Sequence, residues 1–190
     1  MSVNSIFNTE NRIEGHVKVS YKVEEKGSNH ELSFANTVVY GGADIIARAL
    51  VGETKQSITG LYIAYCNGTP SFPTIDRDFS IDYFHGLGST YGLIVVPVIG
   101  LGFSSSDDTK YVGNILTIYG ATGTHVVSGP GLIDGTSKMF AAGLVYSPSS
   151  DYAQDKLFSA VVFKNSDNNP VSITKVANAS VGVTWSITIK

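Results

Sequence analysis

Charge is scarce in this 190-residue chain. Asp, Glu, Lys and Arg supply 15 % of it, against about a quarter in an ordinary globular domain. The balance is −3, from 16 acidic and 13 basic side chains, and no two basic residues are adjacent. That leaves no electrostatic footprint for a nucleic-acid backbone. The single Cys66 excludes an internal disulfide and reads as a buried free thiol. No apolar run approaches the ~20 residues of a membrane span. The longest, Gly92 to Leu101, is interrupted by Pro97 and rich in β-branched residues, which marks a buried strand. The opening Met1-Ser2-Val3-Asn4-Ser5-Ile6 has neither the basic nor the apolar region of a signal peptide.

Catalytic and metal patterns are also missing. His16, His30, His85 and His125 form no H-x-H or HExxH and no close Cys/His spacing, so a metal site has no local support. There is no G-x-S-x-G elbow and no Walker sequence. Gly100-Leu101-Gly102 lacks the third glycine of a dinucleotide loop and reads as a bend at a strand end. Asp76, Asp78 and Asp82 fit no calcium loop and read as a solvated acidic segment; Asp107-Asp108 reads the same way. Asn67-Gly68-Thr69 and Asn178-Ala179-Ser180 match the glycosylation acceptor by chance. Neither a cofactor nor a metal is expected.

What remains is hydrophobic residues at 43 %, 20 glycines, ten tyrosines and strong two-residue alternation. From Val181 to Ile189 the odd positions are Val, Val, Trp, Ile and Ile and the even ones Gly, Thr, Ser and Thr, a strand with one greasy face that places Trp185 in the core. His16–Glu24 alternates in the same way, and Leu32–Tyr40 follows after turn residues as its hairpin partner. Further strands are expected at 58–65, 91–99, 111–119, 138–146, 156–164 and, briefly, 171–176. The segment 58–65 is apolar on both faces and so covered on two sides.

One helix is expected, Ala43–Gly52, after a break at Gly41-Gly42. Its face Ile45, Ile46, Ala49, Leu50 should lie on the sheets, with Asp44 and Arg48 as an i, i+4 pair and Gly52 as the stop. Eight or nine strands without a repeat or linker predict an all-β fold, a two-sheet antiparallel sandwich of jelly-roll or immunoglobulin-like order with one short helix. Residues 1–14 read as an N-terminal arm and 15–190 as a single domain. Residues 66–89 lack a period for over twenty positions yet carry Phe72, Phe79, Tyr83, Phe84 and Leu87, so this long loop should pack onto something. His85 within it reads as a packing residue.

The order of segments resembles virion structural proteins of tailed bacteriophages. The similar segments are the strand into Asn36, then Gly41, Ala47–Leu50 with Gly52, and Ile58 with Leu61-Tyr62-Ile63. They continue with Asp78 to Leu87, the strand to Val96-Pro97-Val98, Gly143-Leu144-Val145, Phe158–Phe163 and Val183–Ile187. One departure is Leu93-Ile94-Val95-Val96, where the pattern carries a charged strand. The resemblance implies a non-enzymatic virion component that docks on capsid or tail proteins as a homo-oligomer, a trimer among the options, with neither nucleic acid nor membrane as partner. Ile6, Phe7, Phe72, Phe79, Tyr83, Phe84 and His85 are its candidate contact residues. The alternative is a carbohydrate- or host-receptor-binding module using Tyr and Asp of the long loops. A glycan hydrolase, third in order, needs two carboxylates about 5–9.5 Å apart.

Overall fold

The computed structural model describes residues 13–23, 29–53, 58–87, 91–105, 114–120, 135–146, 156–174 and 179–189. These hold nine strands and two helices: β1 (Ile13–Val23), β2 (Asn29–Val38), α1 (Tyr40–Leu50), β3 (Ile58–Cys66), α2 (Asp82–His85), β4 (Tyr91–Ser105), β5 (Asn114–Gly120), β6 (Lys138–Tyr146), β7 (Lys156–Val162), β8 (Ile173–Thr174) and β9 (Ala179–Ile189). Every strand pairing is antiparallel. The fold is all-β.

The strand order is β3-β4-β5-β9-β1-β2-β7-β6-β8, and β3 also pairs with β6. Some strands change partner along their length, β4 and β2 among them. β4 lies on β3 from Tyr91 to Pro97 and on β5 from Val98 to Ser105; β2 lies on β1 up to Asn36 and on β7 at Thr37 and Val38. Pro97, which has no N–H to give a ladder, stands at the β4 changeover. The strand passes through Gly100 and Gly102 with a register shift between Val98 and Gly100, so the bend expected there is a bulge inside a longer strand. β1 begins at Ile13, paired to Ile189, so Ile13 and Glu14 belong to the sheet rather than to an arm. Residues 1–12 lie outside the described residues.

One buried cluster joins Val17 of β1 and Trp185 of β9 to Leu61, Ile63 and Tyr65 of β3, Leu144 and Tyr146 of β6, and Phe158 and Val161 of β7. Trp185 is 1 % exposed, opposite Val17 and Ile118 in the ladders, as its place in the alternation requires. A second cluster uses the other faces of β3, β6 and β7, through Tyr62, Ala64, Cys66, Phe140, Ala141, Val145, Leu157 and Ala160. β3 is thus covered on both sides, as its sequence predicts. The register shift where Ala64 meets Ala141 and Tyr65 meets Met139 turns both Phe140 and Ala141 to this second face.

α1 starts at Tyr40, three residues before the expected helix. Gly41 and Gly42, expected only as the break after the strand that ends at Val38, form the first turn of the helix, where Gly42 N–H donates to the Val39 carbonyl. A Cβ on Gly42 would stand 2.2 Å from the Phe158 carbonyl oxygen, and one on Gly41 2.7 Å from that of Leu157. The two glycines let the helix backbone rest on β7. The Tyr146 hydroxyl donates to the Gly41 carbonyl and fixes the same turn. At the far end Gly52 N–H donates to Ala49 and Glu53 N–H to Arg48, with Gly52 at φ +78°, which closes the helix in a Schellman motif. The expected buried face is half wrong: Ile45 and Ile46 pack on the first cluster, but Ala49 and Leu50 are exposed because the last turn overhangs the sheet.

Candidate functional site

The long loop is laid over the second face of the sheet as a folded patch. Local polar bonds shape it: Asp76 Oδ1 accepts from Asp78 N–H, Ser80 Oγ accepts from Asp82 N–H, and the Ser80 hydroxyl donates to Asp82 Oδ2 at 2.9 Å. These are side-chain turns, so the carboxylates of Asp76 and Asp82 hold the loop's own backbone and side chains. The Arg77 carbonyl accepts from Tyr40 N–H and ties the loop to the start of α1. Ser137, buried at the start of β6, donates to the Asn67 side-chain oxygen.

Phe84 is the anchor. It is 1 % exposed and meets Tyr62, Phe79 and Tyr83 edge-on, with ring centroids 6.0, 6.1 and 5.6 Å away. Its ring lies where a Cβ on Gly143 would be, 2.7 Å from that position. The glycine in β6 is therefore the socket for the loop. Phe140, turned outward by the bulge, meets Phe72 and Tyr91 edge-on, each at 6.0 Å.

The loop thus brings together five of the residues singled out from sequence. Phe72, Phe79 and Tyr83 are half-buried, Phe84 is spent on the core, and His85 is exposed with its ring 6.0 Å from that of Tyr62. Ile6 and Phe7 lie outside the described residues, as do Asp107 and Asp108.

Beside this anchor a cleft of about 340 Å³ opens between Ser71, Pro73, Asp82, Tyr83, Gly86, Leu87 and Tyr91. The Tyr91 hydroxyl accepts from Ser71 N–H at 3.3 Å and holds one wall. Tyr91 escaped sequence reading because it opens a strand rather than standing in the loop. The cleft offers two phenols, one carboxylate and apolar walls, which suits hydrogen bonding against an aromatic surface. Among its lining residues Asp82 is the single carboxylate, half of the pair that glycoside hydrolysis needs. Among the described residues no three His, Cys, Asp or Glu side chains converge as a metal cluster.

Burial pushes the Tyr83 phenol up to about 12 from its ordinary 10.0, with further contributions from Tyr91 and Cys66. A raised folded-state value means that the folded chain keeps a proton the unfolded chain has lost, so this contribution to stability is full below pH ~10 and disappears as pH rises toward 12. In an alkaline absorbance titration, Tyr83→Phe should remove one phenolate step near pH 12. Loss of a step near 10 instead would place Tyr83 in open water.

No family model matches this chain, and no curated protein or solved structure matches it either.

Proposed function

We propose that this chain is a non-enzymatic structural component of a tailed-phage particle, docking on the capsid or the head–tail assembly through protein–protein contacts. The observation that carries the reading is the pairing pattern. With β8 set aside, β4 pairs with β5, β3 with β6, β2 with β7 and β1 with β9. We read these four nested pairings, which stand beside the successive hairpins β1–β2, β3–β4 and β6–β7, as the nesting of a jelly roll, an architecture used by viral capsid and lectin domains alike. In this reading β2 and β4 cross between the two sheets of a sandwich. The resemblance of the segment order to that of virion proteins supports the same reading, and so does the low charge of the chain. Repetition on a symmetric particle lets weak contacts add up to firm attachment.

The contact surfaces in this proposal are the pre-shaped 67–87 patch and the N-terminal segment. Antibody against the protein should label purified particles of the phage that encodes it. Added protein should co-sediment with particles assembled without it, and deletion of residues 1–12 should weaken that binding at least about tenfold. Absence of the protein from purified particles would overturn the proposal; equal binding of the deletion would remove the N-terminal segment from it.

The cleft beside Phe84 favours a second reading, a carbohydrate- or receptor-binding module with Asp82, Tyr83 and Tyr91 as its binding groups. A glycan array on which the protein gives no signal above background would remove it.

A further inference from the structure

β2 and β7 part where their shared ladder ends, and a cavity opens in the notch. Thr37 faces Ala160 and Val38 faces Ser159. The next pair in that register, Ala35 with Val162, is not made, because β2 has gone over to β1, where Ala35 faces His16. Phe163 N–H donates to the Phe140 carbonyl of β6, so alternation turns the N–H and carbonyl of Val162 the other way, toward the missing partner. The cavity has a volume of about 220 Å³. Ala160 and Val162, both buried, line it from β7, Thr37 lines it from β2, and Thr74 and Ile75 line it from the long loop. Only Pro73 is shared with the cleft beside Phe84, so the two are separate sites.

The lining is one-sided in its chemistry. Lys164, half-buried, brings an ammonium that forms no ion pair among the described residues. Thr37 and Thr74 bring hydroxyls, and no Asp or Glu lines the space. An anion entering it gains charge-assisted hydrogen bonds that the chain itself does not supply. Ile75, Ala160 and Val162 offer only apolar surface, so an anion that fills the cavity also carries hydrocarbon. At the packing density of a protein interior the space holds on the order of ten non-hydrogen atoms, the size of a six-carbon acid or of one terminal leucine.

We propose that this notch binds a short aliphatic carboxylate, its charge on Lys164 and the Thr37 hydroxyl and its tail against Ile75, Ala160 and Val162. Such a group belongs to a free acid or to the C-terminal residue of a polypeptide. A polypeptide also brings a preceding peptide group, which the Val162 N–H and carbonyl can take as a strand edge takes a partner. The proposal does not depend on the virion reading.

Sodium hexanoate, titrated at about pH 7 where it is ionised, should saturably shift the amide NMR signals of Thr37, Val162 and Lys164. Half-saturation should fall at about 1 mM or below. Hexanol, the same tail without the charge, should bind at least about tenfold more weakly. Lys164→Gln should weaken hexanoate binding by the same factor, and Lys164→Arg should retain it. The absence of a saturable shift up to about 20 mM, equal binding of hexanol, or a Lys164→Gln variant that binds like the parent overturns the proposal. The hexanol comparison needs no substitution, so it decides the matter even where Lys164→Gln fails to fold. A tetrapeptide ending in leucine reads the source. Binding at least about tenfold tighter than hexanoate, lost when the C-terminus is amidated, assigns the site to a polypeptide end; binding no tighter than hexanoate assigns it to the free acid.

Discussion

Trp185→Ala should lower the free energy of unfolding by about 3–5 kcal/mol, the range for removing a large aromatic from a filled core. The ring is 1 % exposed and packs in a cluster that also draws on Val17, Leu61, Ile63, Leu144 and Tyr146. Strands from several parts of the chain meet at this side chain, so little of the void can be closed by a local shift. Trp185 Nε1 is buried without a hydrogen-bond partner. Trp185→Phe removes that unmet donor while keeping most of the bulk, so it should cost well under the alanine change. Guanidinium denaturation followed by far-UV circular dichroism measures both. A loss below about 1 kcal/mol for alanine would be incompatible with a buried ring. In the parent the same residue is the chain's one Trp, so its fluorescence reports directly on this cluster.

Phe84→Ala should cost a similar amount, about 3–5 kcal/mol, with a more local signature. The vacated space lies over Gly143 and beside Tyr62, Phe79 and Tyr83, where the loop meets the sheet. Loss of that anchor frees the segment 67–87 before it unfolds the strands. Trypsin cleavage after Arg77, which is exposed, should accelerate at least about tenfold. His85→Ala, the neighbouring exposed position, should change neither stability nor cleavage. Equal cleavage of the Phe84→Ala variant and the parent would show that the loop is held by something other than this ring.

Strand periodicity was the most legible signal. β6 falls at Lys138–Tyr146 as expected, β1 and β2 form the expected hairpin, and the alternation around Trp185 places the ring inside. The double-sided apolar pattern of β3 correctly announced two covering layers. The failures share a cause, which is that their reasons lie on distant strands. Gly41-Gly42 reads locally only as the break after a strand, yet it is set by the carbonyls of Leu157 and Phe158 more than a hundred residues on. Phe84 resembles any other loop aromatic until Gly143 is seen beneath it. The outward turn of Phe140 depends on a bulge in β6 that alternation alone does not encode. Leu50 shares a helix face with Ile46, and only the overhang of the last turn separates the buried residue from the exposed one.

The position of β9 has a consequence for synthesis. The strand formed from residues 179–189 lies between β1 and β5, and it hydrogen-bonds to both. A growing chain on the ribosome therefore presents β1 and β5 with open edges until residues 179–189 emerge. No ordering of the earlier strands can complete this side of the molecule. Assembly of this side has to wait for β9 and then join it to β1 from far earlier in the sequence, which makes folding slow. During that interval the unpaired edges are exposed to other nascent copies.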